Sequence, residues 1–64
     1  MEINNAVIHL YPDSAYIAKA AVSLRRGKKI VVSYVMRDAA AALDHIRRAG
    51  LDGIPVKYIQ HNGR

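Results

Sequence analysis

Apolar and polar side chains alternate in the first patterned segment of the chain, residues 6–11. Ala6, Ile8 and Leu10 fall on one side of an extended chain, and the more polar positions fall on the other. A period of two residues is that of a β-strand with one apolar face. The pattern predicts a first strand over residues 6–11, which Pro12 ends.

A helical period follows this strand. Asp13 or Ser14 stands where a side-chain oxygen would accept the free amide hydrogens at a helix start. Gly27 stands where a helix of about three turns would end. The apolar stripe of this predicted helix is Ile17, Ala20, Ala21 and Leu24, with Lys19, Ser23 and Arg26 opposite it.

Residues 29–36 form a nearly continuous run of β-branched and apolar side chains. Such a run is typical of a strand that is covered on both faces. We therefore expect the central strand of a sheet over these residues.

A second helix is predicted directly after this run. Asp38 occupies the N-cap position, and apolar residues follow it at helical spacing. Gly50 closes the predicted helix, with Leu51 folding back as the hydrophobic contact of a Schellman motif. The apolar stripe consists of Ala39, Ala42, Leu43 and Ile46.

The last patterned segment, residues 54–59, follows a turn at Asp52-Gly53 and predicts a third strand. Pro55 and Lys57 mark this strand as an edge. Proline cannot donate to a hydrogen-bond ladder, and an exposed lysine discourages pairing with a further strand.

The order strand, helix, strand, helix, strand predicts an α/β fold. We expect a small two-layer βαβαβ domain with a three-stranded, mostly parallel sheet, spanning residues 1–64 as a single domain. Two strand orders remain open. With residues 29–36 central, both helices cover one sheet face, and the other face presents apolar side chains that require a partner. With residues 6–11 central, one helix covers each face.

Composition adds a reason to expect self-association. A domain of 64 residues buries only about 60% of its unfolded surface, so its stability is marginal. The chain has no cysteine, which excludes disulfides and thiolate metal sites, and its three histidines are too widely spaced for a zinc motif. We therefore expect a homodimer, and no metal or cofactor.

Neither a secretory signal nor a membrane span is expected. Residues 1–5 lack a basic stretch followed by an apolar one, and no apolar run approaches the ~18 residues that a span needs. The expected location is cytoplasmic, with no membrane contact. Asn62-Gly63 is either part of a frayed tail or the turn of a hairpin that continues beyond Arg64.

Candidate catalytic residues each have a simpler interpretation. Asp13 and Asp38 each follow a strand, as a carboxylate pair for metal or acid–base chemistry would, but both also suit helix capping. His61 has no orienting partner in the sequence pattern, so a solvated side chain is expected. No glycine-rich loop joins a strand to a helix, and no serine has the flanking glycines of a nucleophile elbow. The sequence therefore predicts that the protein is not an enzyme.

A net charge of +5 and a sequence pI near 10.0 favour an acidic partner. In the predicted fold, both helix ends and the start of the second strand meet at one pole. The residues of this basic pole are Arg25, Arg26, Lys28, Lys29, Arg47 and Arg48. Such a pole neutralises nucleic-acid phosphates. The alternative is that cations in last helical turns complement the helix dipole, with Arg48 paired to Asp44.

The leading hypothesis is a small, non-catalytic, basic binding protein associated with nucleic acid. The alternative is a protein-interaction module, such as a small regulator or inhibitor, that uses an uncovered sheet face or an edge strand. No aromatic platform for single strands is predicted, so nucleic-acid binding would rest on backbone charge. The tyrosines that fail to form such a platform in sequence are Tyr11, Tyr16, Tyr34 and Tyr58.

Overall fold

The computed structural model describes residues 2–61, which form one four-stranded sheet and one helix. The elements are β1 (Asn5–Leu10), β2 (Ala20–Arg26), β3 (Lys29–Met36), α1 (Ala39–Arg48) and β4 (Val56–Gln60). The strand order is β3-β2-β1-β4, in which β1 pairs antiparallel with β2 and parallel with β4, and β2 pairs antiparallel with β3. The sheet is therefore mixed and mostly antiparallel.

The predicted βαβαβ domain with a three-stranded, mostly parallel sheet is wrong. The first predicted helix is absent, and most of its residues form strand β2 instead. Ala20, Val22 and Leu24 are buried at a period of two along this strand. Ile17, which helped to suggest a helical period, is 81% exposed in the loop before β2. The apolar residues of this segment fit both a helical period and the two-residue period of a strand. Pairing with two neighbouring strands selects the extended form.

Gly27 ends a strand and not a helix. It takes the first central position of the two-residue loop between paired Arg26 and Lys29, with φ of 62°, which is the pattern of a type II′ hairpin turn. The Gly27 N–H donates to Asn4 Oδ1 at 2.9 Å, and Asn5 Nδ2 donates to the Gly27 carbonyl at 3.0 Å. The β2–β3 hairpin is thus fastened to the start of β1.

The order with residues 29–36 central is wrong, because the central strands are β1 and β2. The order with residues 6–11 central placed β1 correctly inside the sheet, but the helix that it expected on each face is wrong, because α1 is the only helix among the described residues. Strand β3, which was expected at the centre, lies at one edge, and much of its surface is exposed. A β-branched run indicates a strand, but it does not specify how many neighbours the strand has. The single helix α1 packs on one face of the sheet, where the core consists of Ala6, Ile8, Val22, Leu24, Ala42 and Ile46.

The predicted second helix is confirmed together with both of its ends. Asp38 Oδ1 accepts a hydrogen bond from the Ala41 N–H at 2.9 Å. At the other end Gly50 has φ of 76°, and its N–H donates to the Arg47 carbonyl at 3.0 Å. The Leu51 N–H donates to the carbonyl of Ile46 at 3.1 Å, which completes the Schellman motif.

The predicted third strand is confirmed as an edge strand, β4, which pairs only with β1. The proposed tail or truncated hairpin at residues 62–64 lies outside the described residues. Within residues 2–61, no helix has the length and apolar character needed to cross a membrane.

Candidate functional site

The face of the sheet opposite α1 carries no helix among the described residues, and we call it the open face. Its side chains alternate with those of the core, as the strand register requires. Its members are Val7 and His9 of β1, Ser23 and Arg25 of β2, Ser33 and Val35 of β3, and Lys57 and Ile59 of β4. The face combines cations, an imidazole ring, hydroxyl groups and apolar side chains.

A groove of about 240 Å³ runs over the part of the open face nearest the hairpin. Val7 and Ser23 form buried parts of its floor, and the Ser23 hydroxyl lies 3.1 Å from the Ser33 hydroxyl on the neighbouring strand. Two cations, Arg25 and Lys28, line the groove. The other lining residues are His9, Ile30 and Ile59.

Arg25 has an unsatisfied donor within this site. Its Nε is shielded from solvent and has no hydrogen-bond partner in the described part of the chain. A shielded guanidinium N–H without an acceptor is costly, because desolvation is not offset by a bond. Arg25 is half-buried, so an anionic ligand would contact the accessible part of the guanidinium and not this Nε, and a phosphate matches the guanidinium geometry.

The aromatic rings of His9, Tyr11 and His61 lie together at the end of the groove away from the hairpin. We call these three residues the ring cluster. The Tyr11 and His61 rings are stacked, with centroids 4.7 Å apart and planes 12° apart. His9 lies 5.1 Å from His61 and 6.4 Å from Tyr11, centroid to centroid. The cluster forms because His9 and Tyr11 are two residues apart on β1, while His61 follows the end of β4 beside them.

The two histidines of the ring cluster are hydrogen-bonded to each other. His9 Nδ1 and His61 Nε2 are 2.9 Å apart, so one nitrogen donates and the other accepts. Burial lowers the pKa of His9 below its usual value of 6.5, and the adjacent His61 lowers it further. The arrangement favours a neutral His9, because a proton on both facing nitrogens would break the bond.

A larger hollow of about 630 Å³ lies on the other side of the ring cluster, between loop 11–19 and the sheet. The loop is held by its own hydrogen bonds: the Ser14 N–H donates to the Tyr11 carbonyl at 3.1 Å, and the Tyr16 N–H donates to Ser14 Oγ at 3.1 Å. The hollow is lined mainly by apolar and aromatic side chains, including Tyr11, Tyr16, Val35 and His61, and also by Asp13.

The residues of the predicted basic pole lie at one end of the molecule, although a hairpin replaces one of the expected helices. Helix α1 runs from the end of β3 back to the start of β4, which lies beside the start of β1 and the hairpin. Arg25 and Lys28 line the groove, whereas Arg26 and Lys29 line a separate hollow of about 210 Å³.

The helical members of the basic pole have acidic partners. Arg47 Nε lies 3.7 Å from an Asp52 oxygen, and Arg48 Nε lies 2.8 Å from an Asp44 oxygen one turn earlier. Both are in the last turn of α1, where they complement the helix dipole. The other four members, which we call the hairpin cations, are Arg25, Arg26, Lys28 and Lys29, and none of them forms an ion pair within residues 2–61.

The carboxylates proposed as a catalytic pair have different roles. Asp38 caps α1, as predicted, whereas the prediction that Asp13 caps a helix is wrong, because Asp13 lies in loop 11–19. The prediction that His61 has no partner is also wrong, because it contacts His9 and Tyr11. Residues 2–61 contain no group of three or more metal-ligating side chains.

Sequence reasoning missed the ring cluster. The period of two did place His9 and Tyr11 on one side of β1, and this was the available signal. The third member, His61, joins them only because β4 pairs in parallel with β1.

Comparison with known proteins supplies no further guide to function, which is therefore argued from the site itself. No family model, curated protein or solved structure matches the chain.

Proposed function

We propose that the protein is a small, non-catalytic, basic protein that binds nucleic acid with its open face and β2–β3 hairpin. The proposal includes no cofactor and no catalytic step, and it places the protein in the cytoplasm. The observation that carries it is the group of hairpin cations that form no ion pair among the described residues, two of which, Arg25 and Lys28, line the groove.

The distribution of charge supports the same proposal. The chain has a net charge of +5, and its cations divide into paired and unpaired groups. Arg47 and Arg48 are engaged by carboxylates, whereas the hairpin cations have no ion pair among the described residues. Unpaired cations on a short hairpin are available to neutralise phosphates and release condensed counterions.

The division into paired and unpaired cations also ranks the six members of the basic pole by their contribution to phosphate binding. The hairpin residues Arg25, Arg26, Lys28 and Lys29 supply the phosphate contacts. The helical residues Arg47 and Arg48 mainly stabilise α1, through its dipole and through their acidic partners.

A pair of matched variants tests this ranking by fluorescence anisotropy with labelled duplex DNA, single-stranded DNA and RNA. Replacing all four hairpin cations with Gln should weaken binding by at least 10-fold at low salt and flatten its salt dependence, because about four phosphate contacts are lost. The control carries Arg47→Gln and Arg48→Gln, and should change affinity by less than about 3-fold because the adjacent carboxylates of Asp52 and Asp44 offset the charge of these arginines.

Equal losses per charge in the two variants would contradict the ranking and indicate diffuse attraction by net charge. An unchanged affinity in the hairpin variant would contradict the proposed function. Circular dichroism of both variants shows that the comparison is made between folded proteins.

A specific observation favours a second candidate function, protein interaction through β3. Within the described residues β3 pairs only with β2, so its outer edge carries free backbone donors and acceptors. The run Ile30–Met36 has no charged residue and no proline, and Val35 is 75% exposed. Natural sheets usually protect such edges, as Pro55 just before β4 and Lys57 within it do at the opposite edge.

The occupant proposed for this edge is a second copy of the chain, with the two β3 strands antiparallel across a two-fold axis. This pairing would join the two sheets and extend the open face across both copies. The two candidate functions are compatible, because strand pairing uses the backbone at the outer edge of β3, whereas the groove lies on the open face and shares only Ile30 with β3.

A further inference from the structure

We propose that the hollow between loop 11–19 and the sheet binds one unpaired nucleobase, which stacks on the ring cluster, so that the protein prefers single strands to duplexes. The inference rests on the proposed function and adds a substrate class to it. It assigns a role to Tyr11 and His61, which charge neutralisation alone does not use.

The geometry of the rings suits stacking. Tyr11 and His61 are only 12° from parallel, and both line the hollow. Tyr11 is 39% exposed, so part of its ring is free to contact a ligand. Flat aromatic side chains of this kind stack on bases of any sequence, because every base has a π-face.

The size and lining of the hollow suit a base better than a phosphate. Its volume of about 630 Å³ lies within the ~300–1,000 Å³ range of small-ligand sites. Its lining includes Ala18, Ala21 and Val35, which offer apolar surface. Asp13 also lines it, and its negative charge disfavours a phosphate there.

The groove and the hollow are joined by the ring cluster. His9 lines the groove and His61 lines the hollow, and their rings are 5.1 Å apart. A strand that crosses this boundary would place phosphates beside Arg25 and Lys28 and turn a base towards Tyr11. A duplex cannot do so without unstacking a base pair, which costs free energy.

The test compares affinities for an oligothymidine and for a duplex of equal length in Tyr11→Ala. We expect a loss of about 5- to 10-fold for the single strand, near the lower end of base–aromatic stacking, and little change for the duplex. Tyr11→Phe should retain the affinity of the unmodified chain because it keeps a flat ring. The matched control is Tyr58→Ala, because Tyr58 is 50% exposed but lies opposite Ile8 on the helix-covered face.

A second measurement detects stacking directly. The chain has no tryptophan, so Tyr11→Trp introduces a single tryptophan at the site, and Tyr58→Trp introduces one at the control position. Oligothymidine should quench Trp at position 11, while an abasic strand of the same length should leave it bright. At position 58, neither ligand should change the emission.

The possible failures are distinguishable. If the hairpin variant loses binding but Tyr11→Ala weakens the single strand and the duplex equally, the base site is wrong and the proposed function stands. Equal quenching by thymidine and abasic strands also overturns the base site. If neither the hairpin variant nor Tyr11→Ala alters binding, both proposals are overturned.

Discussion

At the scale of single residues, the open face is organised by pairs that cross between strands. His9 and His61 are separated by 52 positions, yet their ring nitrogens are 2.9 Å apart. Ser23 and Ser33 make a similar contact between β2 and β3. These pairs hold polar atoms on a face that lacks a covering helix among the described residues, and Arg25 Nε is left without a partner beside them.

The His9–His61 pair predicts how stability depends on pH. Burial and the neighbouring His61 lower the pKa of His9 in the folded protein, whereas the unfolded chain keeps a value near 6.5. Below that value the unfolded state therefore binds more protons, and the free energy of unfolding falls as the solution becomes more acidic. Stability contributed by neutral His9 is complete above pH 6.5 and is lost as the pH falls through the lowered pKa.

Thermal unfolding at about pH 7.5 and pH 5.5 measures this effect. The midpoint should drop on acidification, and the drop should be smaller in His9→Gln, which cannot take up the proton. The difference between the two proteins therefore reports on the His9–His61 pair. An identical drop in the variant would show that the pair does not contribute.

At the scale of secondary structure, the sequence was sufficient to predict an element whose start and end are marked by characteristic residues. Helix α1 has a capping aspartate, buried Ala42 and Ile46 at helical spacing, and a Gly50-Leu51 stop, all of which are visible in the sequence. Strand β2 lacked such marks. Ala20, Ala21 and Leu24 fit a helix, and Ala20, Val22 and Leu24 fit a strand, so the choice depends on the partner strands.

The edge strand β3 gives a prediction at this scale. If β3 pairs with a second copy, the chain should be a dimer at high micromolar concentration by light scattering. Replacing Ile30 and Val35 with Lys should produce a monomer, because charge on an edge strand opposes pairing. The matched control, Lys57→Ala with Gln60→Ala, alters the β4 edge and should leave the dimer intact. A monomeric parent protein would contradict the pairing.

At the scale of the whole molecule, the sequence predicted the positive charge and that part of it collects at one end of the fold. The structure differs from the prediction in the surface that lies beside this charge. The hairpin cations were predicted at one pole, and they do lie at one end of the sheet. What sequence patterns missed is the open face beside them. It arises because the chain has one helix, α1, for a four-stranded sheet, so only one face is covered among the described residues. The aromatic and basic residues then lie on the same face, which is the basis of our proposal that the protein binds nucleic acid.

The central claim is that this surface binds nucleic acid through its phosphates. The most direct test is anisotropy of a labelled oligothymidine with the unmodified protein, titrated from about 20 to 200 mM salt. About four phosphate contacts predict a slope of log K against log salt of about −3, since a single strand contributes about −0.7 per contact. Absence of binding even at the lowest salt would contradict the claim and leave the β3 edge as the better-supported interaction site.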